Sequence, residues 1–172
     1  GKSLEEAFLA QLPEETAKVV VDTGIVDNDS KWRQSVGEIT PDYQDVLFKK
    51  GFGGIIREAR ENISKLSLAS AEDLKKKEFY DSIIITSQGI ITLANRYAKK
   101  AMEMAETEND VTRKNELLKI AQICRKVPEN PPETFHEAIQ FVWFTQLGGI
   151  LSENPLALNI GRFDQFMYPY YK

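Results

Sequence analysis

The sequence predicts a mostly α-helical domain, and three observations carry that expectation. Apolar residues recur at helical spacing through several long stretches. Those stretches open on capping signals. One short segment, Leu156–Ile160 (LALNI), suits a strand. At 172 residues the chain is long enough for one domain with its own core, and no repeat, low-complexity tract or internal boundary divides it.

The elements follow in order. Glu14 to Val21 reads as a short helix that Gly24 ends. Ile25 to Ile39 (IVDNDSKWRQSVGEI) reads as loop, because Asp, Asn, Ser and Gly compete with regular structure. Thr40-Pro41 suits a helix start, with Thr as cap and Pro at the first helical position. Val46, Leu47, Ile55, Ile56, Ala59 and Ile63 carry that helix on, through GFGG at Gly51–Gly54. Each interior glycine costs about 1 kcal/mol relative to alanine. The cluster therefore predicts a break or a close backbone approach, and no Gly-Lys-Ser/Thr follows to make it a phosphate loop.

The longest helix is expected from Ala71 to about Glu106, opened by Ser70 and Asp73 in a capping-box spacing. Ile83, Ile90, Ala94, Tyr97 and Ala101 line one face, and Ile84, Ile91, Ala98, Met102 and Ala105 the next. So wide an apolar arc, interrupted by Ser87 and Gln88, predicts burial in something large. A further helix spans about Thr112 to Lys126, with Leu117, Ile120, Ala121 and Cys124 on one side. VPENPPETF ends it; Pro131 or Pro132 takes the next first turn, and Glu133 suits its positive end. That apolar helix runs from Glu133 to about Gln146, where Gly148-Gly149 is expected to stop it. Leu156–Ile160 is then strand, and DQFMYPYY opens a last helix or turn.

Composition narrows the function classes. Hydrophobic residues at 42% and charged residues at 28% fit a soluble globular protein. The formal net charge of −4, without a basic block, gives no footprint for nucleic acid. Lys75-Lys76-Lys77 reads as a solvated helix face. Cys124 is the only cysteine, so no internal disulfide forms and a reducing, cytoplasmic setting is expected. No apolar run approaches the ~18 residues of a membrane span, and the acidic N-terminus does not read as a signal peptide.

Few residues offer chemistry. His136 is the lone histidine and reads as structural, since no Cys or His cluster joins it in a metal site. Cys124 lies on the apolar side of a helix and reads as a buried structural thiol. Glu38 follows Gly37 in a loop, where a carboxylate can project into a cavity; plain exposure is the simpler reading. Arg162 and Asp164 point to the same side of an extended chain, where they can brace one another or reach a common partner, and bracing is the expected role. If a helix starts at Gln165, Asp164 is also its cap. The residues give no complete catalytic constellation and too much apolar surface, a combination that fits a segment better than a whole protein.

ICRKVPENPPETFHEAIQFVWF (Ile123–Phe144) followed by GRFDQFMYPYYK (Gly161–Lys172) closely resembles the pyruvate formate-lyase domain of glycyl radical enzymes. The nearer branch is that of glycerol dehydratase, choline trimethylamine-lyase and arylacetate decarboxylase-like members. PDYQDVLFKKGFGGIIREA (Pro41–Ala59) is similar to the segment that family places before its long helices, so the resemblance spans about Ile39 to Lys172. It implies a ten-stranded α/β barrel wrapped by helices, of which this chain supplies helical wall and the first strand, all 172 residues lying in an N-terminal-half segment of one domain. It implies hydrogen abstraction by a cysteine thiyl that a glycyl radical generates. This chain has no match to the family's Cys-x-Glu loop or glycyl loop, and Cys124 aligns elsewhere, so no catalytic residue and no cofactor is expected within it.

The implied partners are the rest of the barrel, a radical S-adenosylmethionine activase that installs the radical, and a second subunit of the parent enzyme. The implied substrate-side positions are Glu38 and Asn159. Diol-dehydrating members carry polar residues where Leu156 and Ala157 stand, and histidine or aspartate where Glu38 stands. An apolar wall disfavours a diol, whereas a carboxylate suits a basic or hydroxylated substrate; the two hints diverge and no substrate is named. The rival reading is a self-contained helical scaffold that uses its apolar faces to bind a partner.

Overall fold

The computed structural model describes residues 9–23, 38–67, 69–153 and 157–171. Helix α1 covers Glu14–Thr23, as expected, and Gly24 lies outside the described residues. Strand β1 (Glu38–Ile39) stands where loop was expected. Its backbone partner lies far along the chain, so nothing local announces it.

Next comes a π-helical turn, Tyr43–Leu47, running directly into α2, Phe48–Ser64. The start differs from the Thr40-Pro41 expectation. Asp42 is the cap, its Oδ1 accepting the Asp45 N–H at 2.8 Å. Gly51 breaks α2 with φ +63° and ψ 169°. The break orphans the first N–H groups of the restarted helix, and a neighbouring loop satisfies them. Phe52 N–H donates to the Pro128 carbonyl and Gly53 N–H to the Glu129 carbonyl, each at 2.9 Å. A Cβ on Gly51 would overlap the Glu129 carbonyl oxygen, and one on Gly53 would stand 2.9 Å from it. GFGG is thus both the break and the close approach that the sequence predicts.

Helix α3 is Ala71–Thr107, with Ser70 Oγ accepting the Asp73 N–H at 3.1 Å. The Asp73 carboxylate accepts from Ser67 Oγ at 2.7 Å. Its buried side is narrower than the expected arc. Ser87, Ile91, Ala94, Ala98, Ala101 and Ala105 form one seam, with Ser87 inside it rather than interrupting it, while Ile85 and Tyr97 remain exposed. Small residues on the seam let α4 (Val111–Lys126) pack closely, with Leu117, Ala121, Ile123 and Cys124 buried.

Helix α5 covers Phe135–Glu153, so it begins later and ends later than expected. Thr134 and Glu137 form the capping box that the Pro-Pro signal obscured. Glu137 N–H donates to Thr134 Oγ1 at 3.2 Å and Thr134 N–H to Glu137 Oε2 at 3.3 Å. Lys126 Nζ donates to the same Oε2 at 2.8 Å, tying the end of α4 to the start of α5. Gly148 and Gly149 do not stop α5. They are close-approach positions: an added Cβ would stand 2.8 Å from Ile90 of α3 and 2.8 Å from Leu158 respectively.

Strand β2 is Ala157–Leu158, shorter than the expected segment, and α6 is Phe163–Tyr171. Helix α6 returns Phe166 and Met167 to the core, leaving Tyr168 and Tyr171 exposed. That core is an aromatic cluster. Tyr43 stacks on Phe166 (centroids 4.8 Å apart), Phe48 meets Phe141 edge-on (5.4 Å), and Phe52 stacks on Phe141 (5.7 Å). The buried Tyr43 hydroxyl is satisfied by the Gln146 amide, which donates to it at 2.9 Å. A second cluster joins Ala94 and Ala98 of α3, Cys124 of α4 and Phe144 of α5.

Candidate functional site

Strands β1 and β2 pair in parallel, with Glu38 opposite Ala157 and Ile39 opposite Leu158. The Asn159 N–H extends the ladder, donating to the Ile39 carbonyl at 2.8 Å. The positions singled out from the sequence, Glu38 and Asn159, therefore come together on one short ladder from distant parts of the chain. Strand alternation divides that ladder into two faces. Leu158 meets Gly149 of α5, which defines the covered face. Ala157 and Asn159 belong to the other face by position; Ala157 is half-buried and Asn159 exposed. Leu156 lies outside the described residues.

The turn from β2 into α6 needs Gly161, whose φ is +79° and whose missing Cβ would stand 3.1 Å from Thr40 Cγ2. Thr40 and Gly161 thus hold the exits of the two strands together. Arg162 Nη1 approaches Gln165 Oε1 at 3.5 Å. Asp164 occupies the first turn of α6, which begins at Phe163, one residue before the position expected for its cap. A carboxylate there still complements the positive end of the helix.

The remaining candidates stand apart from the ladder. His136 is exposed in the first turn of α5 and lines a groove of about 640 Å³ with Thr112, Glu116 and Lys119. Cys124 is buried, and burial pushes its thiol up to about 11, which favours the protonated form at neutral pH. Burial likewise raises the Tyr43 hydroxyl, against the lowering effect of its hydrogen bonds to Gln146 and Thr145. At Glu137 burial opposes the charge, but the Lys126 ammonium and the Glu133 and Thr134 N–H groups outweigh it and hold the carboxyl below its ordinary value. Lys75 and Lys76 are exposed, as a solvated helix face should be. Among the described residues no three His, Cys, Asp or Glu side chains gather as metal ligands, and no helix is long and apolar enough to cross a membrane. Gly149, whose local signal is that of a helix stop, instead packs against Leu158 of the ladder.

Comparison with known proteins places this geometry. A family model described as pyruvate formate lyase-like matches residues 1–172. The isethionate sulfite-lyase of Nitratidesulfovibrio vulgaris is 39% identical over all of this chain and 22% of its own length. A solved structure from Roseburia inulinivorans, described in terms of 1,2-propanediol dehydration, superposes with a TM-score of 0.77 at 35% identity, over 99% of this chain and 21% of its own. The glycerol-bound B12-independent glycerol dehydratase of Clostridium butyricum superposes with a TM-score of 0.76 at 38% identity, over the same shares. The chain spans about a fifth of the length of the relatives it matches.

Proposed function

The chain belongs to the pyruvate formate lyase-like family of glycyl radical enzymes, and from that premise we propose that it is the helical wall and first ladder of a lyase or dehydratase acting on a small organic substrate. The glycyl radical of the intact enzyme supplies hydrogen abstraction through a cysteine thiyl. Both residues come from the rest of the polypeptide, so this segment alone turns nothing over. Its own contribution is spatial: Asn159 stands on the ladder face turned away from α5, and Glu38 is paired with Ala157 on the same ladder. The partners are the remaining barrel, a radical S-adenosylmethionine activase and a second subunit, in the cytoplasm.

One observation carries this reading. Parallel strands occur almost only where both faces are covered, and here the face opposite α5 leaves Asn159 exposed. A self-contained scaffold would leave that parallel pair half-bare, and a two-stranded sheet has little stability of its own.

The test uses the activated intact enzyme with isethionate, glycerol and propane-1,2-diol offered as substrates. Glu38→Gln and Asn159→Ala should each lower turnover about tenfold or more, with melting temperature and glycyl radical content unchanged. Full turnover in both variants would remove the ladder from the active site.

A further inference from the structure

We infer that Gly149 is a positioning residue: by carrying no side chain, it sets how far the β1–β2 ladder stands from α5 and hence where Asn159 is held. This rests on the ladder being part of the substrate space, as proposed above. The contact is one-sided and close. A Cβ on Gly149 would stand 2.8 Å from Leu158 Cδ2, with Leu158 Cδ1 at 3.6 Å and Cγ at 3.8 Å. Leu158 is paired with Ile39, and the Asn159 N–H is bonded to the Ile39 carbonyl, so force on Leu158 is passed to both strands. Helix α5 is held close to α3 at the preceding residue. On its neighbouring face Gly148 lies against Ile90 of α3, where an added Cβ would stand 2.8 Å from Cγ1 of a β-branched side chain. The consecutive glycines let α5 sit tightly between α3 and the ladder, and bulk at position 149 is relieved on the ladder side.

The size of the substituent decides the outcome. A single methyl meets the end of a flexible leucine, which a rotamer change accommodates. A valine fills the space that rotamer would need, so the ladder moves. Gly149→Ala should therefore leave the protein close to wild type, while Gly149→Val displaces β2, and Leu158→Ala added to Gly149→Val brings it back.

Two readouts on the intact enzyme test this. Amide hydrogen exchange at Leu158 and Asn159 should quicken about tenfold or more in Gly149→Val and return toward wild type in the double variant, with α3 amides unchanged. If the double variant exchanges faster than Gly149→Val, the two positions are not a size-matched pair and the inference fails. Should Gly149→Val alone not fold, recovery of a folded protein in the Gly149→Val, Leu158→Ala double variant supports the size-matched pair, and a double variant that also fails to fold overturns it. The second readout is kcat and KM for whichever of isethionate, glycerol and propane-1,2-diol is turned over. Gly149→Val should change KM and kcat unequally, and the double variant should restore both. If Asn159→Ala lowers turnover while Gly149→Val leaves it intact, the positioning role is wrong and the functional reading stands. If Glu38→Gln, Asn159→Ala and Gly149→Val all leave turnover intact, the functional reading itself falls, and the positioning role with it.

Discussion

The loop-to-helix crossing at Gly51 and the β1–β2 ladder are both places where distant segments meet through backbone hydrogen bonds, yet they are built oppositely. At the crossing, the Phe52 and Gly53 N–H groups are fixed to the Pro128–Glu129 carbonyls, and an aromatic cluster with Phe52 and Phe141 surrounds them. The ladder has short strands, one leucine against one glycine, and an exposed asparagine. The difference teaches where this chain spends its packing. The crossing is overdetermined and fixes the scaffold; the ladder is thinly held and leaves a face for other groups.

Substitutions at the crossing and its surroundings should therefore cost more than substitutions on the ladder. Gly51→Ala is the severest test, because it asks for a left-handed backbone and for overlap with a carbonyl oxygen. A loss of about 4 kcal/mol or more is expected in urea unfolding of the intact protein, large enough to abolish folding. A stable Gly51→Ala variant would erase the contrast. Phe141→Ala comes next. It empties the ring position shared by Phe48 and Phe52 and should cost about 3–5 kcal/mol.

Glu137→Ala is the mildest and sharpens the comparison through pH. It removes half of the capping box and the Lys126 partner, for about 1–2 kcal/mol near neutral pH. The native carboxyl is held below its ordinary value of 4.5. Its stabilisation is therefore present above that value and is lost as pH falls through the lowered native one. The stability gap between wild type and Glu137→Ala should close on acidification. A gap independent of pH would mean that the charge contributes nothing.

Much of the scaffold was legible in the sequence because its signals are local. Ser70 and Asp73 opened α3 as their spacing predicts, and the glycines at 51–54 announced both a break and a close approach. Where two local signals compete, the reading erred. Pro131-Pro132 drew the start of α5 away from Thr134 and Glu137, although the Thr-x-x-Glu spacing was there to be read. Gly148-Gly149 carries the same letters as a helix stop, and only the neighbours Ile90 and Leu158 reveal packing instead. The ladder was half legible: LALNI reads as a strand, while Glu38–Ile39 becomes one only through its partner. Cys124 is buried, as its apolar helix face predicts, because that face is a local property.

The parallel ladder also fixes an order of events during synthesis. Strand β1 leaves the ribosome long before β2, with α2 to α5 between them. Joining the ends of a free loop of on the order of a hundred residues costs about 4 kcal/mol in chain entropy, more than so short a pairing returns. The helices must therefore collapse first and carry the two segments to within reach, which makes this pairing a late event in folding and an early one to be lost under stress.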